Sequence, residues 1–323
     1  MRHVRILGLC LLAVFAIGAI ASTTALAHEP GQLTGEWKVL KGCPYNNPEV
    51  IAAWEKERGG VTCFAGVTAG GLGGGHFSLG RILVPLNKKI TLQGAAIFHE
   101  NESNISVGRV IPPENGEPAL VAPELAVPYG IKLINELMRR EWPEALKTSF
   151  NEAVKNKEAG LKVKIEVAGG NRLFEEPEGI STENLIEGNG TAFELPLKVR
   201  LISPWLAKLG GGACTIGTDE NPVVQHLTTG QSGGLHGETG NLHFNRGFTL
   251  ITLSNDTLVD GTWGIETPVT ECGGAYEEYI DRDLNKLLNI PTGANAGQTI
   301  LTGTTYAGGV GAVKHEAETG KER

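Results

Sequence analysis

The sequence predicts a mainly β protein, either an antiparallel sandwich or a barrel-like fold, with a few packing helices and a disulfide brace. Glycine accounts for 45 of the 323 residues, and the glycines stand in short clusters between apolar stretches, as in tight turns that join strands. Residues 161–168 and 193–201 alternate apolar and polar side chains, which is the pattern of strands that are buried on one face.

Residues 1–27 have the features of a secretory signal peptide. Two arginines precede an apolar run at 6–20, and Ala25-Leu26-Ala27 provides a small-x-small cleavage site. The apolar run is shorter than a stable membrane span requires, and no second run follows it. We therefore predict that the chain is exported, that no transmembrane segment remains after cleavage, and that the protein is secreted or extracellular, or associated with the cell envelope.

Four cysteines lie outside the predicted signal peptide, and we expect them to form disulfides. An even number of cysteines in an exported chain indicates a disulfide framework, although spacing alone permits three connectivities. We favour the pairs Cys43 with Cys63 and Cys214 with Cys272. Free or zinc-bound thiols are the alternative, which the absence of a Cys-x-x-Cys motif or a nearby Cys/His pair disfavours.

Composition argues against polyanionic partners. The chain has 36 acidic and 28 basic residues and a formal net charge of -8, and removal of the signal peptide would make it more acidic. We therefore expect no nucleic-acid partner and no anionic lipid surface. The glycine run at 70–75 lacks the Lys-Ser/Thr pair and the following helix of a phosphate-binding loop, so no cofactor is predicted.

The order of segments suggests two β-rich halves separated by a loop or junction that is rich in glycine, glutamate and asparagine. The predicted ranges are a signal peptide at 1–27, an N-terminal half with two helical segments at 28–170, the junction at 171–190, a C-terminal half at 191–306 and a charged tail at 307–323. The composition of the tail indicates disorder.

Several elements follow from local patterns. Helical spacing of apolar residues indicates one helix around 131–138 and a second that Pro143 opens. Pro196 within the second alternating segment indicates an edge strand or a bulge. The apolar segment Phe248 to Leu253 predicts a strand covered on both faces. A further helix is expected from about 275 to 289.

One motif suggests nucleophilic catalysis. Residues 230–234, Gly-Gln-Ser-Gly-Gly, fit the Gly-x-Ser-x-Gly pattern that presents a nucleophilic serine, here Ser232, with His99, His226 or His236 as conceivable bases. That arrangement requires a helix directly after the serine, whereas 235–240 is rich in turn-forming residues. We therefore interpret the match as part of a Gly/Ser loop and keep Ser232 as the candidate nucleophile.

Three histidines suggest a metal site. His226, His236 and His243 fall within 18 residues, and the acidic residues of the same region are Asp219, Glu220 and Glu238. This set contains enough ligands for zinc or copper. It has no short metal-binding spacing such as His-x-His, so we favour solvated histidines over a metal centre.

Segments distributed along the chain outside the signal peptide carry a family resemblance. They are Cys63 to Thr68, Leu195 to Leu201, Cys214 to Gly217, Asn221 to Val223, Leu227 to Gly230, Leu258 to Asp260, Cys272 to Gly274 and Leu287 to Pro291. Together they resemble uncharacterised secreted β-rich proteins of actinobacteria, most closely over residues 190–303. The resemblance implies an exported β-rich fold with paired cysteines, and it supplies no activity and no functional residues.

These observations lead to an expected function class. Export, glycine-rich turns and cysteine pairing favour a non-enzymatic binding or structural protein of the cell envelope or extracellular space, whose partner would be an envelope component or another extracellular ligand. The alternative is a secreted hydrolase whose catalytic groups lie on separate loops and form no sequence motif. The sequence leaves the ligand and the oligomeric state open.

Overall fold

A computed structural model describes most of the chain. The described residues are 31–56, 60–100, 106–114, 116–129, 141–169, 179–212 and 214–320. They form sixteen strands and six α-helices. The fold is mainly antiparallel β, as the sequence predicts, with sheets of nine and five strands packed face to face and a separate two-stranded hairpin. The predicted signal peptide and the predicted helix at 131–138 lie outside the described residues.

The strands and helices have the following bounds. The strands are β1 (Val61–Thr68), β2 (Gly75–Leu79), β3 (Ile82–Pro85), β4 (Thr91–Glu100), β5 (Ser106–Ile111), β6 (Leu120–Val121), β7 (Leu125–Ala126), β8 (Lys162–Val167), β9 (Phe193–Ile202), β10 (Thr215–Ile216), β11 (Val223–Leu227), β12 (Gln231–Ser232), β13 (Leu235–His236), β14 (Asn241–Phe244), β15 (Leu250–Asp260) and β16 (Thr299–Gly309). The helices are α1 (Pro48–Lys56), α2 (Glu144–Lys155), α3 (Thr182–Glu187), α4 (Pro204–Lys208), α5 (Glu277–Leu288) and α6 (Val310–Thr319).

The larger sheet has nine strands and combines both ends of the chain. Its main order is β14-β15-β16-β1-β4-β5, while β2 and β3 extend from β16, and β6 pairs with β4. Strand β1 lies between β16 and β4 and is antiparallel to both. Strands from the two predicted halves are therefore direct neighbours within one sheet.

The smaller sheet has five strands, with β9 paired to β8 on one side and to β10 and β11 on the other. The predicted alternation is confirmed, because every second residue of β8 is buried. Pro196 lies in the central strand β9, and the pairing with β11 continues through it without a register shift, so the prediction of an edge strand or a bulge is wrong. Pro196 O accepts a hydrogen bond from Ala168 N at 3.0 Å, just beyond the end of β8. Proline has no N–H group, but the β8–β9 ladder ends at this residue, so no further hydrogen bond of the ladder is lost.

The two sheets enclose the main hydrophobic core. Phe64 of β1 and Phe193 of β9 face each other there, with ring centroids 6.3 Å apart. Single β-bridges also connect the sheets, since Ile180 bridges both Gly108 and Phe193, and Thr228 bridges Val259. The fold is thus a sandwich whose layers are joined by backbone pairing.

A second hydrophobic cluster covers the outer face of the larger sheet. It is formed by a 3₁₀-helix at Gly35–Leu40 together with α1 and α6. The prediction of a disordered tail is wrong for residues 310–319, which form α6. Val310, Val313 and Ala317 are buried at helical spacing on one face of α6, and this face packs on the sheet.

Two disulfides brace the sandwich with the predicted pairing. Cys43 bonds to Cys63 of β1, with Cα atoms 5.3 Å apart, and Cys214 bonds to Cys272, with Cα atoms 4.2 Å apart. The first links the outer layer to the larger sheet. The second links the start of β10 to the segment that precedes α5.

Helices α2 and α5 confirm the predictions made for those segments. Leu146 and Phe150 of α2 are buried, as are Leu284 and Leu288 of α5. The strand predicted from Phe248 begins at Leu250 instead. Asn245 Oδ1 accepts hydrogen bonds from the backbone N–H groups of Thr249 and Leu250, which closes a turn before the strand. No described helix combines the length and the apolar character that a bilayer span needs.

Candidate functional site

An open polar recess of about 540 Å³ lies where several connections between strands meet. The residues that line it come from the loop after α3, from β11 and the connection that follows it, from β12 and from the turn after β15. They are Gly188, Asn189, Gly190, Thr191, His226, Thr228, Gly230, Gln231, Ser232 and Thr262. Among these described residues there is no lysine, arginine, aspartate or glutamate, so the recess offers hydrogen-bonding groups without a fixed charge.

Glycine allows the walls of the recess to approach closely. Gly188 ends α3 with a φ of +68°, and a Cβ at Gly230 would overlap the Gly188 carbonyl. Thr229 Oγ1 donates a hydrogen bond to Leu185 O at 2.9 Å. The connection from β11 to β12 is therefore fixed against α3 by backbone contact and by a side-chain hydrogen bond.

The fully buried carboxylate of Asp260 holds three residues of the recess. Its Oδ2 accepts a hydrogen bond from the backbone N–H of His226 at 2.7 Å. Its Oδ1 accepts hydrogen bonds from Ser232 Oγ at 3.2 Å, from Thr262 N at 2.9 Å and from Thr262 Oγ1 at 2.8 Å. Four donors therefore converge on one carboxylate and fix the relative positions of β11, β12 and the end of β15.

Ser232, the candidate nucleophile, lies in a two-residue hairpin. Gly233 and Gly234 follow it with φ values of +54° and +86°, which are the conformations of a type I′ turn between β12 and β13. Ser232 Oγ also accepts a hydrogen bond from Gly261 N at 3.1 Å. The glycines of the Gly-x-Ser-x-Gly match thus serve a β-turn, and the strand-to-helix elbow of a hydrolase is not formed.

His226 lines the same recess as Ser232, so the structure brings this candidate base near the candidate nucleophile. Its imidazole Nε2 lies 3.4 Å from Glu194 Oε2, directly across the β9–β11 ladder. A nucleophilic triad needs the imidazole between serine and carboxylate. Here a carboxylate contacts Ser232 directly and the imidazole faces a different carboxylate. His99 lies on β4, opposite Val107.

The other metal-site candidates are placed on separate elements. His236 lies on β13 opposite Gln231, and His243 lies on the edge strand β14. Asp219 accepts hydrogen bonds from Lys198 Nζ at 2.8 Å and Gly169 N at 2.5 Å, and the bond from Lys198 lowers the pKa of its carboxyl. Over the described ranges, no group of three or more His, Cys, Asp or Glu residues could hold a metal ion.

A second buried acid, Asp256, lies four residues before Asp260 on β15. The chain bulges at Asn255, and from Asp256 onward Asp256, Leu258 and Asp260 point to the same side of the strand. Asp256 lines an apolar cavity of about 60 Å³ between the sheets. Thr305 Oγ1 donates a hydrogen bond to it at 2.5 Å, and burial raises the pKa of the carboxyl to about 6.

Sequence reasoning did not single out these two buried acids. The stretch Asp256-Thr-Leu-Val-Asp260 places one apolar residue on each side of the strand, Leu258 beside the aspartates and Val259 on the other side, so alternation alone does not show which side is buried. Acidic residues are seldom fully buried unless they are hydrogen-bonded or functional. The burial of the two aspartates is therefore evident only from the structure.

Comparison with protein-family models, with curated proteins and with solved structures finds no match to this chain.

Proposed function

We propose that this chain is an exported, non-enzymatic binding protein of the cell envelope or extracellular space, and that the polar recess is its ligand site. The observation that carries the proposal is the convergence of four hydrogen bonds on buried Asp260. They fix the walls of the recess before any ligand arrives. Preorganisation of this kind reduces the entropy that binding costs.

The lining groups indicate the ligand class. Asn189, Thr191 and Gln231 provide amide and hydroxyl groups that can donate and accept hydrogen bonds, whereas the hydroxyl of Thr262 donates to Asp260 and is left as an acceptor. Because the lining carries no lysine or arginine, the recess suits a neutral hydroxylated ligand better than a phosphate or a carboxylate. Envelope glycans belong to that chemical class, and the resemblance to actinobacterial secreted proteins supports the same setting.

Two further features support export. The N-terminal 27 residues have the pattern of a signal peptide, and the two disulfides require an oxidising compartment to persist. Both are compatible with a protein that works outside the cytoplasm.

Cosedimentation with purified envelope material tests the proposal. The chain from His28 to Arg323 is expected to sediment with the envelope at high salt, where nonspecific charge binding is screened. Gln231→Ala, which removes an amide from the recess, should reduce the bound fraction severalfold. His236→Ala is the matched control, because His236 pairs with Gln231 across the hairpin and does not line the recess. Equal binding by both variants, or no sedimentation of the parent chain, would contradict the proposal.

A secreted hydrolase is the second candidate, because Ser232 and His226 line one recess and a carboxylate contacts Ser232. A fluorophosphonate probe discriminates the two functions. Covalent labelling of the parent chain that Ser232→Ala abolishes would establish a reactive serine and favour the hydrolase. If the folded parent chain remains unlabelled, the serine hydrolase is excluded and the binding function is retained.

A further inference from the structure

The edge strand β14 and the turn that follows it expose an unusual amount of apolar surface. Leu242, Phe244 and Phe248 are 46%, 49% and 76% exposed, and the two phenylalanine rings lie 5.7 Å apart. All four residues of β14 are exposed. Phe248 also adopts a φ of +55°, which is uncommon for a bulky residue.

The outer backbone edge of β14 is open as well. β14 ends the order of the larger sheet, and in the described residues its pairing partner is β15. Asn245 N donates to Leu250 O, so alternation along the ladder directs the backbone groups of His243 toward β15 and those of Leu242 and Phe244 outward. An exposed edge with outward N–H and C=O groups is a template for pairing with another strand.

The edge strand lacks the proline and charged side chains that commonly block such pairing. Residues 241–245, Asn-Leu-His-Phe-Asn, contain no proline, lysine, aspartate or glutamate, whereas natural edge strands are commonly protected by charge or proline. Leu242 is opposite buried Leu253, so Leu242 and Phe244 lie on the face that the second sheet covers elsewhere. At β14 this apolar face is exposed.

We infer that β14 pairs with β14 of a second copy of this chain, antiparallel about His243, to form a two-fold symmetric dimer. In this register Leu242 of each copy faces Phe244 of the other, which lets their outward backbone groups exchange hydrogen bonds and places both apolar side chains on one face. A two-fold interface of this kind is self-complementary.

The flanking charges favour the same register. Arg246 lies beyond one end of β14, and Glu238 lies before the other end. Arg246 lies in the turn that follows β14, and antiparallel pairing about His243 brings this turn toward the end of the second copy's β14 that Glu238 precedes. Symmetry brings these opposite charges toward each other twice. A parallel arrangement would instead bring like ends together.

Sedimentation velocity of residues 28–323 over about two decades of concentration tests the dimer. The interface is small, so the mass is expected to rise from monomer to dimer as concentration increases. Leu242→Lys should weaken association by about tenfold or more, because it places a charge in each apolar pair. Leu83→Lys is the matched control, since Leu83 is 48% exposed on β3, and it should associate like the parent. A monomer throughout, or equal association by both variants, would overturn the inference.

Cross-linking tests the register independently. His243 faces His243 of the second copy as a non-hydrogen-bonded pair, whose Cα atoms lie about 4.5 Å apart in antiparallel sheets, a distance that a disulfide spans. His243→Cys should therefore give a covalent dimer under mild oxidation. Asn241→Cys, two residues away on the same strand, faces Asn245 and should give little. Equal cross-linking at both positions would overturn the proposed pairing.

Discussion

Ser232 Oγ donates a hydrogen bond to buried Asp260 at 3.2 Å and accepts one from Gly261 N at 3.1 Å. The hydroxyl therefore ties the tip of one hairpin to the end of β15. Asp260 therefore lies behind the wall of the recess and holds it in place, and Ser232 is one of the three residues that it holds. This relationship also explains why a serine in a catalytic-looking motif can have a structural role.

Removal of Asp260 should cost more stability than removal of Ser232. Asp260→Ala removes the buried acceptor of four hydrogen bonds and leaves the N–H groups of His226 and Thr262 without their partner, and we expect a loss of about 3 kcal/mol. Ser232→Ala removes one donor of four and should cost about 1 kcal/mol. Urea unfolding of both variants measures the difference, and equal costs would show that Asp260 does not organise the recess.

Two neighbouring glycines of the hairpin should respond differently to alanine. Gly233 and Gly234 both have positive φ, which costs alanine about 1 kcal/mol. A Cβ at Gly233 would also overlap the carbonyl of Gly261, whereas a Cβ at Gly234 meets no atom within 4 Å. Gly234→Ala should therefore cost about 1 kcal/mol and Gly233→Ala about 3 kcal/mol or more.

Thermal unfolding of the two alanine variants provides the measurement. Gly233→Ala should also reduce envelope binding, because displacement of Gly261 shifts the adjoining Asp260. Gly234→Ala serves as its control for backbone strain alone. Similar melting temperatures for the two variants would contradict the close approach of the hairpin to Gly261.

Local pattern predicted the elements of this fold well where one face is buried. The alternation in β8 and the helical spacing in α2 and α5 each reflect the burial of one face against one neighbouring layer. This periodicity can be seen within a short segment of the sequence. The cysteine pairs were also predicted, although three connectivities were open.

Long-range pairing was not predictable by the same means. The local sequence of β1 does not indicate that it pairs with β16, because half-buried strands all have a similar alternating pattern, whichever strand they pair with. The position of Pro196 was not predictable for the same reason. Proline disrupts a central strand only where its missing N–H would be needed by a neighbouring strand, and the end of that neighbouring strand cannot be seen in the local sequence. The composition of the tail predicted disorder, yet α6 forms and buries Val310, Val313 and Ala317 against the sheet.

The two disulfides should contribute unequally to stability. Cys214–Cys272 closes a separation of 58 residues and Cys43–Cys63 one of 20. The chain-entropy relation gives about 4 and about 3 kcal/mol for these loops. Replacing each pair with serines and measuring urea unfolding tests the order. A larger loss for Cys43 and Cys63 would show that contacts in the outer layer outweigh loop entropy.

Asp256 should make stability fall as pH rises from about 4 to about 6. Burial raises the pKa of its carboxyl from 3.8 to about 6 in the folded protein, so between these values the folded state binds more protons than the unfolded state. The contribution of the protonated Asp256 carboxyl to the free energy of unfolding is therefore complete below about pH 4 and is lost as the pH rises through 6. The shift corresponds to a penalty of about 3 kcal/mol above pH 6.

Asp256→Asn isolates this effect from all other titrating groups. Asparagine keeps the size of the side chain and can still accept the hydrogen bond from Thr305. The variant should match the parent in free energy of unfolding near pH 4 and exceed it by about 3 kcal/mol near pH 8. The difference between the two proteins should therefore change mainly between pH 4 and pH 6. A difference that is constant across this range would mean that the carboxyl titrates normally and that water reaches the cavity beside Asp256.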